Sequence, residues 1–221
     1  MYIWLTLALI FASLETLAVW KNLHGLEYLA KPAVMVYLFL WLYFSTGLRE
    51  NRFWFGAGIL FSLAGDVLLM NSLDGMFLYG LMAFLFAHIF YIVGFREELV
   101  RISVGSLALI VFIVISITRI IRRIVDAMRA KEENRLINPV IVYTVVISVM
   151  LYSALSTLYD PTWKMNAALL VGTGAFLFCT SDVILAWNKF VSPIKNGRVW
   201  NIAIYHLGQI GLIAGVISQF R

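Results

Sequence analysis

Two stretches of this chain, GAGILFSLAGDVLL at residues 56–69 and GTGAFLFCTSDVILA at residues 172–186, each carry one aspartate inside a run of small and apolar residues. Neither stretch alternates polar with apolar side chains as a half-buried strand does. Each belongs to a longer apolar run of roughly 20 residues, the length at which a helix crosses ~30 Å of hydrocarbon. Backbone groups in lipid have to be satisfied within their own segment, so continuous apolar runs of this length read as helices and not as barrel strands. The two stretches also match each other. Gly56 and Gly58 precede Asp66 by the same interval at which Gly172 and Gly174 precede Asp182, and each aspartate is followed by Val and two aliphatic residues.

Working outward on the same length criterion divides the chain into eight spans, at 2–20, 29–48, 53–70, 76–95, 102–120, 138–158, 165–187 and 200–220. The composition agrees: of 221 residues 62% are hydrophobic and only 13% charged, where a soluble domain carries about 25% charged residues. The expected fold is therefore all-α: a polytopic membrane protein of eight transmembrane helices forming one domain over 1–221, with no room for a soluble one. Trp20, Trp41, Trp54, Trp163, Trp187 and Trp200 fall at or near span ends, where amphipathic rings prefer to sit. The first run starts almost at Met1, without a basic leader or a small-x-small cleavage site before Lys21, and so reads as a span and not as a cleaved signal.

Eleven of the seventeen Lys and Arg fall at the connections after spans one, three, five and seven, among them the basic stretch 119–135. The other six are Arg49, Arg52, Arg96, Arg101, Lys164 and Arg221. The positive-inside rule then puts stretch 119–135 in the cytoplasm and both termini outside; the expected localisation is a bacterial inner membrane or an endomembrane, with the active site toward the cytoplasmic side. Basic residues set between apolar runs orient a chain in lipid and touch anionic headgroups; they do not form the patch that nucleic acid requires. The one cysteine, Cys179, offers no disulfide and no zinc spacing, and one turn before Asp182 it reads as packing.

The likeness of the two opening stretches extends to their neighbours. The span after each carries a histidine beside a tyrosine, His88 with Tyr91 and His206 with Tyr205, and spans two and six open on Lys31-Pro32 and Asn138-Pro139. This predicts a four-plus-four repeat, residues 1–100 and 101–221, whose parallel halves are related by an axis along the membrane normal. The Gly-x-Gly pairs are expected to be sites of close helix packing. No strand precedes them and no Lys-Ser/Thr follows, so they are not phosphate loops.

An ionisable side chain inside a bilayer is costly and by default marks function. Glu15, Lys31, Asp66, Asp182, His88 and His206 qualify. At 1.5 Å per residue Asp66 lies about 20 Å along its span from the outer side, and Asp182 at least as deep, so both approach the cytoplasmic boundary. Glu15 reaches that level from span one and Lys31 enters it at the start of span two, which makes Glu15 a partner for Lys31. His206 is within reach of this layer and His88 lies deeper.

These residues carry a resemblance. Lys31-Pro32, AGDVLLM around Asp66, AFLFAHIFY with His88 and Tyr91, GAFLFCTSDVILA with Asp182, and YHLGQIGLI with Tyr205, His206 and Gln209 together resemble the YhhN-like lysoplasmalogenase family of integral membrane proteins, over nearly the whole chain and in order. The resemblance implies eight spans, a lysophospholipid substrate drawn from the bilayer, and hydrolysis of its vinyl ether to a fatty aldehyde and a glycerophospho-base. Such hydrolysis is limited by proton transfer to the β-carbon and passes through an oxocarbenium ion, so it needs an acid and a carboxylate, as glycoside hydrolysis does. Like charges in a low-dielectric site resist double ionisation, which suits Asp66 and Asp182 to those two tasks in either order. Tyr91, Tyr205 and Gln209 are candidates for positioning water or the hemiacetal, and Lys31 for receiving phosphate. His88, His206 and Glu15 are supporting candidates. No cofactor or metal is called for. Two other readings stay open: a metal-dependent lipid hydrolase with His88, His206 and the aspartates as ligands, and a small transporter of parallel-repeat type.

Overall fold

The computed structural model describes residues 2–70, 75–95 and 104–221. These form eight helices: α1 (Tyr2–Lys21), α2 (His24–Thr46), α3 (Arg52–Met70), α4 (Met76–Phe95), α5 (Val104–Ala130), α6 (Asn134–Ser156), α7 (Met165–Ala186) and α8 (Gly197–Phe220). All eight are long and apolar enough to cross a membrane. The protein is an all-helical, multi-pass membrane protein, and among the described residues there is no strand.

Three helix boundaries differ from those expected by four residues or more. Helix α2 begins at His24 and not at 29, so Lys31 and Pro32 lie inside the helix instead of opening it. The turn from α1 is short: Asn22 takes a left-handed φ of 57° and Leu23 N–H donates to the Ala18 carbonyl at 2.8 Å. Hydropathy misses the first turn of α2 because it is polar, with His24 and Glu27. Pro32 has no N–H to offer the Tyr28 carbonyl one turn back. Helix α6 likewise starts at Asn134 and encloses Pro139. The stretch 119–135 is not a connection. Helix α5 runs on to Ala130, because Ile120, Ile121, Ile124, Val125 and Met128 keep an apolar face going between the arginines, and only 131–133 link it to α6. The expected span start at 102, with Arg96 and Arg101 of the charge count, lies outside the described residues. Beyond Ala186, α7 continues in a π-helical turn, Trp187–Val191.

Helices α1 to α4 pack in sequence, as do α5–α6, α6–α7 and α7–α8; α4 also meets α6, and α2 meets α8. The last two contacts exchange under a swap of the halves, which by itself does not establish the predicted repeat. One contact lacks its counterpart: α1 packs on α8, while among the described residues α5 makes no comparable contact with α4.

The Gly-x-Gly pairs seat helices against each other. A Cβ on Gly174 would stand 2.4 Å from the Leu212 backbone nitrogen, and one on Gly208 2.8 Å from that of Phe178, so α7 and α8 touch backbone to backbone. A Cβ on Gly58 would meet the Tyr91 ring at 2.3 Å. We expect Gly174→Val to force α7 and α8 apart and to destabilise by about 1–3 kcal/mol, the range for overpacking. Thermal unfolding in detergent checks this, and an unchanged Tm would contradict so close a contact.

Candidate active site

Near one end of the bundle, α2, α3, α7 and α8 enclose a cavity of about 190 Å³ whose walls include Lys31, Asp66, Asp182 and Tyr205. Asp66 is 1% exposed. Lys31 Nζ lies 3.4 Å from its Oδ1, and Tyr205 Oη donates to its Oδ2 at 2.8 Å. Both oxygens of this carboxylate are therefore engaged, by groups from α2 and α8. The position of Lys31 inside α2 makes this possible, because a residue two turns into the helix can project sideways at the depth of Asp66.

Asp182 stands in a different arrangement. Tyr143 Oη donates to Asp182 Oδ2 in a short hydrogen bond, and His88 Nε2 lies 2.9 Å from Tyr143 Oη and 3.8 Å from the same Oδ2. With the tyrosine proton committed to the carboxylate, Tyr143 accepts from His88 Nε2–H. Buried His88 Nδ1 has no hydrogen-bond partner among the described residues. The two partners of Asp182 thus converge on one oxygen, while those of Asp66 occupy two. His88, expected to lie too deep for this layer, reaches it through Tyr143.

Glu15 pairs with His206 through His206 Nε2 and Glu15 Oε2, and both are buried. The expected Glu15–Lys31 partnership is not formed, because Lys31 is turned to Asp66. Tyr91 and Gln209 also stand apart from the cavity. Tyr91 Oη donates to Gln209 Oε1 at 2.9 Å and Gln209 Nε2 donates to Ser62 Oγ at 3.0 Å, tying α4, α8 and α3 together behind Asp66. The candidate metal ligands are divided in the same way. His88 stands by Asp182 and His206 by Glu15, and among the described residues no three His, Cys, Asp or Glu converge to hold an ion.

Four residues of the site had no functional reading in the sequence. Tyr143 was one aromatic residue in an apolar span, and nothing marked it before α6 was seen to face α4 and α7. Glu27 stood outside the expected span two, although its spacing from Lys31 puts both on one face of a helix. Arg198, counted only for topology, forms a short ion pair with Glu27 at the mouth, where its side chain is 52% exposed. Asn201 Nδ2 donates to the Ser181 carbonyl at 2.7 Å, fastening α8 beside Asp182. The mouth opens on the face that carries the connections after α1, α3, α5 and α7.

Residues 26–216, nearly the whole bundle, match the profile of the YhhN family. The chain belongs to the YhhN family. Its relatives include lysoplasmalogenase TMEM86A of Bos taurus, 26% identical over an alignment of 170 residues that covers 73% of this chain and 64% of that protein. The human TMEM86A is 25% identical over 155 residues, 69% of this chain and 60% of its own. Mouse lysoplasmalogenase TMEM86B is 26% identical over 196 residues, 86% and 74% of the two chains. This YhhN chain thus spans less than two thirds of the two TMEM86A proteins. No solved structure matches it.

Proposed function

We propose that this YhhN protein hydrolyses the vinyl-ether bond of lysoplasmalogens, with Asp182 as the proton donor and Asp66 as the carboxylate. The observation that carries the reading is that two aspartates line one cavity with unequal engagement. Lys31 and Tyr205 take up both oxygens of Asp66, and a cation with a hydrogen-bond donor at hand suits it to the carboxylate's part. At Asp182 both neighbours approach Oδ2, and we assign to Oδ1 the proton that is delivered. The names of the TMEM86 relatives support the substrate class.

In this mechanism Asp182 protonates the β-carbon of the vinyl ether and the α-carbon becomes an oxocarbenium ion facing the Asp66 carboxylate. Water adds to that carbon as Asp66 takes one of its protons. Collapse of the hemiacetal moves the remaining hydroxyl proton to the departing glycerol oxygen and releases the aldehyde. Return of the proton from Asp66 to Asp182 across the shared cavity closes the cycle. The substrate phosphate meets Arg198 and Lys31 at the mouth, on the cytoplasmic side if the basic count sets the orientation.

The test is aldehyde release from a lysoplasmenyl-ethanolamine by purified protein, run also in D2O and with a chelator. The expected product is an aldehyde carrying one solvent deuteron on the carbon next to the carbonyl, with ester-linked lysolipids untouched and no loss of rate on chelation. Loss of rate with the chelator would favour the metal-dependent reading. Absence of aldehyde would remove the hydrolase and leave the transporter.

A further inference from the structure

Beside the polar cavity lies an apolar slot of about 60 Å³ between α4, α5, α6 and α7. The two share Leu69, Phe84, Asp182 and Leu185 as walls, so Asp182 stands where polar cavity meets slot. At its other side the slot shares Ile117 with a third hollow, a groove of about 340 Å³ along the lipid-facing seam of α5 and α6. The three hollows form one route, polar at the mouth and apolar beyond Asp182.

We infer that the single aliphatic chain of the lipid substrate runs from Asp182 through this slot, past Ile117 and into the α5–α6 groove, and that Ile117 governs the chain length accepted. That the chain belongs to a vinyl-ether substrate rests on the hydrolase reading above. The route has the right length. From Ile124 to Ile110 it follows about 21 Å of helix at 1.5 Å per residue, and one leaflet of a ~30 Å core is about 15 Å deep. It has the right direction as well, since a lysolipid with its headgroup at the mouth points its chain toward mid-membrane. A slot of about 60 Å³ holds roughly four to six water-sized groups at about 10–15 Å³ each, fewer than the carbons of a long chain, so a wall has to yield. That wall is α5: among the described residues its larger contacts are with α6 and the π turn, and it presents Ile117, Ile120, Ile121 and Ile124 to the slot. Apolarity alone would not choose this chain over any bilayer lipid, because the bilayer is as apolar as the groove. Continuity with Asp182 makes the choice, by seating the vinyl ether at the acid only when its chain lies in the slot.

Two measurements test the route. In the first, Ile117→Trp and Ile117→Ala are compared on lysoplasmalogens with octenyl and hexadecenyl chains. The tryptophan should lower the long-to-short ratio of kcat/KM by at least about tenfold, a steric penalty of the overpacking kind, and the alanine should not lower it. In the second, the unsubstituted full chain in nanodiscs is irradiated with a non-cleavable 1-O-hexadecyl lysophosphocholine bearing a terminal diazirine, which needs neither turnover nor a folded variant. Label is expected around Val114 and Val149, displaced by excess unlabelled alkyl lysolipid. Label scattered over other lipid-facing helices, label that excess lysolipid fails to displace, or a chain-length ratio untouched by the tryptophan would each overturn the route. Displaceable label on the seam with no aldehyde from any substrate would uphold the route and sink the hydrolase reading alone.

Discussion

Asp182→Asn and Asp66→Asn are each expected to slow aldehyde release by a factor of about a hundred or more, the scale of general acid–base catalysis. The two losses have different origins. In Asp182→Asn the new amide keeps an oxygen to accept from Tyr143 but has no acidic proton to give to the β-carbon, so the first chemical step fails while the cavity keeps its shape. In Asp66→Asn the amide still accepts from Tyr205 but offers no negative charge to the oxocarbenium ion and no base to the attacking water. Neither change removes a group assigned to the phosphate, so the defect should fall on kcat, with KM little altered. Steady-state kinetics on protein shown to be folded by its thermal transition decides the matter. Near-full turnover by Asp182→Asn would remove the proposed acid, and a defect confined to Asp182 would reduce the mechanism to a single acid whose partner only supports it.

The parts of this protein that can be read from sequence are those where the bilayer imposes the rule. Eight spans, their helical character and the cost of Asp66 and Asp182 all follow from the need to bury apolar surface and satisfy backbone groups in lipid. The same rule erred at the ends of helices. There hydropathy no longer discriminates: Glu27 lies in the first turn of a helix whose start looked like a loop, and arginines at 119–129 continue one that looked finished. Those errors hid part of the site, because Lys31 is a different residue at the second turn of α2 than at its first. Partner choice was the least legible. Glu15 was as good a match for Lys31 as Asp66 was, and only the packing of α1 on α8 hands Glu15 to His206. Tyr143 carried no signal at all, since a phenol in an apolar span looks the same whether it faces lipid or a carboxylate.

The partnership of Lys31 with Asp66 supplies the second large effect, and it separates folding from catalysis. Lys31→Met should destabilise the protein by about 3–5 kcal/mol, the usual result when one member of a buried ion pair is removed and the other is left charged in low dielectric. Adding Asp66→Asn to the same chain removes the stranded charge, and a well-packed neutral pair is often as stable as the ion pair it replaces. The double variant should therefore regain most of the lost Tm or denaturant midpoint. Activity should not return with it, because the carboxylate that faces the oxocarbenium ion has been removed along with the charge. If the double variant recovered neither property, Lys31 would be holding the fold through contacts other than Asp66. If it recovered both, Asp66 would have no part in the chemistry, and the asymmetry between the two aspartates would be a matter of stability alone.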